Sequence, residues 1–363
     1  MTVTALPADQ VLRRLGEFDT IIDVRSPAEY TDDHLPGAEN WPVLDDEERR
    51  DVGTAYKMES AFDARKRGAA LVAHRIGDHL AARVRDRTHD WRPLVYCWRG
   101  GKRSGTLAWF LDQIGYRTHV VDGGYKAFRA ALLADLDDLP RRFDYCVICG
   151  RTGSGKTRLL EALSHAGAQV LDLEQLARHR GSVLGAWPDQ PQPSQKALDS
   201  AVWQTLSQLD AARPVFVESE SKKIGNLRVP EALIETMRTR GRCIAIEMPD
   251  AKRVELLLED YHHLTTDADA FCSLLDALVD LRGREQVRVW QAQARAGRFA
   301  DVFLDLMHRH YDPIYLRSMQ RNFAGFATAS RLTLANGGAA ALATAAASLR
   351  AERDAALTAG LPT

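Results

Sequence analysis

The chain has 363 residues, 45% of them hydrophobic and 27% charged, with a formal net charge of −1. That length suggests about two domains, the apolar content excludes a mainly disordered chain, and no run approaches the roughly 20 apolar residues a membrane helix needs. Five cysteines in so long a chain argue against a disulfide framework and for a reducing cytoplasm, and residues 1–7 lack a basic-then-apolar secretory pattern.

Residues 20–25 read as a short buried strand ending in charge. Ser26 and Pro27 then supply a cap and a first helical residue. Residues 34–38 form a turn, and 44–90 are mostly helical with a charged face. A second buried strand, 93–97, runs into a glycine-bearing loop and a helix over 104–114. A third, 119–122, is closed by Gly123-Gly124. Short apolar strands alternating with helices predict an α/β fold with a parallel sheet. Residues 132–142 are charged, contain Pro140 and read as a connector. A second α/β pattern follows: a strand over 145–149, a helix from about 158 to 165, and strands at 169–173, 214–217 and 243–246. From 254 to 323 the period is helical. The expected domains are therefore 1–138 and 139–330, the second with a helical C-terminal portion. Beyond them lies an alanine-rich tail, 331–363, that is a terminal helix or a frayed end and is assigned no function.

The small net charge hides segregation. Residues 29–63 hold eleven acids and three bases, and residues 65–103 hold eleven bases and three acids. Two readings fit: helices solvated and paired with each other, or a nucleic-acid footprint.

Two loops carry chemistry. The first is Cys97-Trp98-Arg99-Gly100-Gly101-Lys102-Arg103-Ser104, at a junction of strand and helix where outward amides and the helix dipole favour an anion. Cys97 feels that field together with Arg99, Lys102 and Arg103, so its pKa should fall and make it a thiolate. Gly100 and Gly101 let the backbone curl around the sulfur. Such a cradle suits a persulfide or perselenide anion on sulfur, or a phosphate attacked by it. Either job requires a sulfur that solvent can reach.

The second loop is Gly150-Arg151-Thr152-Gly153-Ser154-Gly155-Lys156-Thr157, a complete P-loop pattern between a predicted strand and a predicted helix. Its amides cradle a diphosphate, Lys156 adds a point charge, and Thr157 can hold Mg²⁺. Residues 214–221 resemble the partner strand of a P-loop fold, which makes Glu218 the first candidate and Glu220 the second to orient Mg²⁺ or water. Asp172 is a third acid near the same crevice, or a plain solvated strand end. The loop His179-Arg180-Gly181-Ser182 is either a ligand contact or a turn. Cys146 and Cys149 lie three apart on one strand and face opposite sides, so they read as core and not as a metal or redox pair. Cys243 and Cys272 also read as core, and the histidines show no ligand spacing. No structural metal is expected.

The N-terminal half resembles a rhodanese domain. The resemblance rests on residues 22–30, on 34–38, on the cysteine loop and on 121–128, in the order that family shows. Five residues separate Cys97 from Arg103, one more than in common sulfurtransferase loops and the same as in cysteine-based phosphatases.

A rhodanese-like domain joined to a P-loop domain resembles the family of bacterial tRNA 2-selenouridine synthases. Residues 47–57, 96–104, 150–157, 172–174 with 179–182, and 218–225 carry that likeness, and it covers about 11 to 323. The resemblance implies a cytoplasmic transferase, not membrane-bound, acting on the wobble 2-thiouridine of tRNA. It implies S-geranylation with geranyl diphosphate, then selenium transfer from selenophosphate, with no tightly bound cofactor. An enzyme that makes selenophosphate is a candidate partner. On this reading the P-loop grips the diphosphate through Gly150 to Thr157, while Cys97 serves the selenium step with Arg103 and the loop amides stabilising its charge. The 65–103 stretch and Arg282, Arg284, Arg288, Arg295 and Arg298 are candidate phosphate contacts. Two rival readings are a cysteine-dependent phosphatase or sulfurtransferase fused to a kinase-like nucleotide-binding module, and a regulatory ATP-binding protein.

Overall fold

The computed structural model describes residues 3–182, 185–187 and 190–358, with side chains up to Arg353. Residues 1–2 and 359–363, named above in reading the two ends, lie outside it. The described residues divide into two compact units, one within Met1–Leu136 plus Pro193–Gln204, the other within Asp137–Gln192 plus Thr205–Thr363.

The first unit holds a five-stranded parallel sheet. Its strands are β1 (Thr4–Leu6), β2 (Thr20–Asp23), β3 (Ala38–Asn40), β4 (Pro93–Tyr96) and β5 (His119–Val121), in the order β1-β5-β4-β2-β3. β2 and β4 are buried at every residue, as strands inside a parallel sheet are, including the polar ends Thr20 and Asp23 of β2. The edge strands β1 and β3 are three residues each, too short to show alternation in the sequence. Ser26 and Pro27 open the helix Pro27–Asp32 as expected, and the Glu29 carboxylate accepts from the Ser26 N–H at 3.4 Å.

The charged stretch folds as a helical hairpin, Asp46–Met58 and Ala61–His79, capped by Asp45 and Ser60. Much of its charge is paired internally: Arg67 with Glu59 at 2.8 Å, Lys66 with Asp63 at 2.7 Å, and Arg75 with Asp45 at 3.2 Å. The solvated, self-paired reading therefore accounts for this part of the 65–103 segment. Such exposed pairs add little stability each.

The helix Gln195–Ser207 lies far along the sequence, yet residues up to Gln204 belong to the first unit. Trp203 donates its indole N–H to Asp135 at 2.8 Å and meets Phe128 edge-on at 6.5 Å. Ser200 donates to Asp33 at 3.1 Å, and Asp199 pairs with Arg129.

The second unit holds β6 (Tyr145–Gly150), β7 (Gln169–Leu171), β8 (Val215–Glu218), β11 (Arg242–Glu247) and β12 (Ser330–Thr333), all parallel, in the order β12-β11-β6-β8-β7. A short antiparallel ribbon, β9 (Lys223–Ile224) with β10 (Leu227–Arg228), stands apart. The P-loop leaves the central strand β6 and opens the helix Lys156–His165. The alanine-rich tail is structured: it adds the edge strand β12 and the helix Ala339–Thr358. Leu342, Ala345, Ala346 and Leu349 are buried with Leu159, Leu160 and Leu163 of the P-loop helix. Small alanines let two helices approach closely, so a composition that looks featureless serves a core. The helical portion over 250–311 has its own apolar core around Phe271, Trp290 and Phe303. No described helix is long and apolar enough to cross a membrane.

Candidate active sites

Cys97 follows β4 directly, and the next helix starts at Lys102. The chain can turn between them only with glycine. Gly100 has φ +62°, and a Cβ there would stand 2.7 Å from the Val121 carbonyl oxygen. Gly124 has φ +60°, and its Cβ would stand 2.3 Å from the Cys97 carbonyl oxygen. That oxygen instead accepts from the Tyr125 N–H at 2.8 Å, and the Trp98 carbonyl accepts from the Lys126 N–H at 3.0 Å. The Gly123-Gly124 turn and the cysteine loop thus hold each other.

Two donors reach the sulfur. The Gly101 N–H lies 3.3 Å away and the Ser104 hydroxyl 3.2 Å. Burial pushes the thiol pKa up, but the Ser104 hydroxyl, nearby amides and the Arg103 charge outweigh it. The net result is below the ordinary cysteine value. Accessibility departs from the sequence reading, because Cys97 keeps only 3% of its surface. The same donors that hold the sulfur take up the space around it. Arg103 is committed to Glu29 at 3.3 Å, and Glu29 lies 3.5 Å from Arg49. Arg99 and Lys102 are exposed, with no ion pair among the described residues.

The P-loop is braced from distant sequence. The Gly150 N–H donates to the Tyr315 hydroxyl at 2.7 Å, and that oxygen lies 3.0 Å from the Ser219 hydroxyl. The Thr152 carbonyl accepts from Arg253 Nε at 2.9 Å and Nη2 at 2.7 Å. Arg151 lies 3.3 Å from Asp312. Lys156 Nζ donates to the Gly150 carbonyl at 2.9 Å, folded back across the loop it would serve.

Beside it is a cluster of acids. Thr157 donates to Glu174 at 3.0 Å, and Glu218 accepts from the Glu174 N–H at 2.8 Å. Glu218 Oε2 is buried with no hydrogen-bond partner among the described residues. Burial raises the pKa of Glu218 far above the carboxylate range, with the negative neighbours adding to it. Glu220 is pushed up to about 8 by burial and by the adjacent Glu174, against the pull of Lys156. Asp172 caps the helix Leu173–Ala177, accepting from the Gln175 N–H at 2.8 Å. It also lines a cleft of about 470 Å³ together with Thr157.

Next to Thr152 lies a narrow apolar crevice, lined by Ser182, Leu257, Tyr261, Phe303, Met307 and Tyr311. Ser182 and Tyr261 bring their hydroxyls to 3.2 Å, and the Arg180 guanidinium lies 5.1 Å from the Tyr261 ring centre. The 179–182 loop is therefore part of this wall. Among the described residues, no group of three His, Cys, Asp or Glu side chains is arranged to hold a metal ion. Cys146 and Cys149 face opposite sides of β6: Cys146 joins the core under the P-loop helix, and Cys149 lies against Cys243.

Residues 7–131 match the family model of the rhodanese-like domain, and residues 143–277 match that of the tRNA 2-selenouridine synthase AAA domain. The tRNA 2-selenouridine synthase of Nitrosomonas europaea is 34% identical over 347 residues, covering 83% of this chain and 89% of that protein. That of Shewanella denitrificans is 35% identical over 345 residues, covering 87% and 92%. This chain belongs to the tRNA 2-selenouridine synthase family.

In this member of the family, several residues absent from the sequence-derived set hold the two loops. Arg253, Asp312 and Tyr315 brace the P-loop, and Glu174, beside the candidate acids Glu218, Glu220 and Asp172, is the one that Thr157 meets. Under the cysteine loop, Arg25 is fully buried, binds Asp23 at 2.5 Å and lies 4.0 Å from the Tyr125 ring centre. Tyr96 donates to Asp23 and Tyr125 to Asp33, each at 2.7 Å. A buried strand ending in Asp23 and Arg25 was the one visible sign of that network.

Proposed function

We propose that this chain modifies tRNA, converting the wobble 2-thiouridine to 2-selenouridine in two transfers. In the first, the allylic C–O bond of geranyl diphosphate breaks, a C–S bond forms to the thiouridine, and diphosphate leaves from the P-loop. In the second, the P–Se bond of selenophosphate breaks and its phosphoryl group passes to water as inorganic phosphate; the freed selenium, still at the selenide level, adds to C2 of the base, and the S-geranyl group leaves as a thiol. Geranylation turns a poor leaving group into a good one.

The observation that carries this reading is the pairing of a diphosphate cradle with an adjoining apolar, aromatic crevice. A nucleotide would present polar edges there, whereas a prenyl chain matches the lining. The crevice is closed to about 10 Å³ and its lining side chains Met307 and Leu257 are buried, so a prenyl chain enters only when these core side chains part. Aromatic faces beside the breaking bond also favour the developing allylic cation. Lys156 leaves the Gly150 carbonyl and turns to the departing diphosphate.

Mg²⁺ fits the oxygen donors present, Thr157 with Glu174 and the unpartnered oxygen of Glu218; bound there, it would neutralise the diphosphate. Cys97 serves the selenium step as its thiolate, directing the selenium species, with Gly101, Ser104 and Arg103 stabilising the anionic charge. Because the sulfur is nearly closed off, this step includes an opening of the loop. The deciding experiment is mass analysis of tRNA nucleosides from selenium-grown cells lacking this chain. The seleno-nucleoside should disappear and return on complementation; its persistence would overturn the reading.

A further inference from the structure

The second unit carries a cationic groove at the end of its sheet away from the P-loop. β6 and β11 run parallel, with Arg242 opposite Cys146, while the P-loop leaves at Gly150. The five steps from Tyr145 to Gly150 along β6 separate the two ends by about 16 Å at roughly 3.3 Å per residue. Two clefts there share Thr239 and Ala324, with volumes of about 480 and 380 Å³. Arg238 and Arg321 line the first, and Arg240, Arg242 and Arg353 line the second.

Their charges are poorly matched. Arg238 Nε, Arg242 Nη2 and Arg353 Nε are buried without a hydrogen-bond acceptor among the described residues. Arg321 makes no ion pair among them, and Arg240 donates to the Arg141 carbonyl at 3.2 Å and has Asp144 as a loose ion pair at 3.9 Å. Burial lowers the Arg238 pKa, opposed only by Glu231, which is itself paired with Lys222 at 2.7 Å. Guanidinium groups gathered without counter-ions are costly unless an anion completes them, and their planar forks suit phosphate. The groove also has aromatic and amide surface in Phe326, Gln320 and Asn322, with Phe323 buried behind it 5.7 Å from the Arg238 guanidinium. Arginines for phosphates beside rings and amides for bases are what an unpaired RNA segment requires.

We propose that this groove binds a stretch of tRNA sugar–phosphate backbone outside the anticodon arm, holding the tRNA body while its wobble base reacts elsewhere. The proposal rests on the tRNA reading above.

The test uses the full chain, an unmodified tRNA transcript and its isolated anticodon stem-loop. In the Arg242→Gln/Arg321→Gln variant, the Kd for the transcript should rise about tenfold near physiological salt. The slope of log Kd against log salt should fall by about 1.5, the loss of roughly two phosphate contacts. Stem-loop affinity should not change. Arg321→Glu alone, at an exposed helix end, should weaken the transcript in the same direction should the double variant lose thermal stability. Equal loss for the stem-loop would overturn the placement. Calorimetric binding of inorganic phosphate that the double variant loses, with transcript affinity unchanged, would make this a small-anion site and overturn the RNA assignment. Transcript binding by the unaltered chain with no change in either variant sinks the groove alone; no transcript binding by the unaltered chain sinks the tRNA reading with it.

Discussion

Arg253 and Asp312 meet in a buried two-pronged ion pair, Nη2 to Oδ1 at 2.6 Å and Nη1 to Oδ2 at 2.9 Å. They join the helix Asp250–Asp260 to the helix Asp312–Asn322. Arg253 Nε and Nη2 also hold the Thr152 carbonyl, and Nη1 also donates to Asp250 at 2.8 Å, so the pair fixes the P-loop backbone. Removing Asp312 leaves the fully buried guanidinium with Asp250 alone, a partly exposed partner that also binds His308. Asp312→Ala should therefore cost about 3–5 kcal/mol of stability. Arg253→Met with Asp312→Leu should recover most of that loss while leaving the Thr152 carbonyl unbound. Urea unfolding checks both, and a double variant no more stable than Asp312→Ala would show that the pair is not the unit that matters.

The two loops should be separable by function. Lys156→Ala removes the charge facing the diphosphate and should abolish geranyl transfer to a thiouridine-containing tRNA. Cys97→Ala should leave geranyl transfer intact and block selenium incorporation. Nucleoside mass analysis after each half-reaction reads the two outcomes. Loss of both steps in Cys97→Ala would refute the division of labour.

The Ser104 hydroxyl, 3.2 Å from Cys97 Sγ, is the largest single influence holding the thiol pKa down against burial. Ser104→Ala should slow alkylation of Cys97 at pH 7 about tenfold, since a hydrogen bond to an ion is worth roughly 1.5–3 kcal/mol. The rate at high pH, where the thiol is ionised in both proteins, should change little. A uniform slowing at every pH would instead indicate altered access to a sulfur that is already 3% exposed.

What could be read in the sequence was what is contiguous in it. Residues 97–104 and 150–157 each contain their own turn glycines, cations and junction of strand and helix, so their chemistry needed no tertiary knowledge. Their supports are not contiguous. Tyr315 reaches Gly150 across 165 residues, and Arg253 reaches Thr152 across 101. No local period announces such contacts. Asp172 and Glu174 sit two apart at a strand end, and only the capping bond to Gln175 decides which of them faces Thr157. An amphipathic helix such as Gln195–Ser207 states that it has a core face without saying whose core that is.

Glu220 gives the second unit a pH dependence of definite sign. Its pKa rises from the model-peptide value of 4.5 to about 8 in the folded chain, through burial and the neighbouring Glu174. Between those values the folded protein holds a proton that the unfolded chain releases, so stability falls as pH rises through this window and levels off above it. Glu174 and Glu218 shift the same way and steepen the slope. Glu220→Gln should flatten it and raise the unfolding midpoint at pH 8 relative to the unaltered chain. Urea midpoints at pH 5, 6, 7 and 8 test this; an unaltered slope in the variant would remove Glu220 from the account.

Trp203 tests the unexpected membership of its helix. It is 4% exposed, anchored by its indole bond to Asp135, and packed edge-on against Phe128 of the first unit. Trp203→Ala leaves a cavity under the helix Gly124–Leu136 and removes the indole bond to Asp135, and should cost about 3–5 kcal/mol. Because the contacts of Trp203 lie in the first unit, the loss should appear there. Amide exchange in β4 and β5 should accelerate, while β6 and β8 keep their protection. Were β6 and β8 to lose protection together with β4, the segment 193–204 would be supporting both sheets, and its assignment to the first unit would fail.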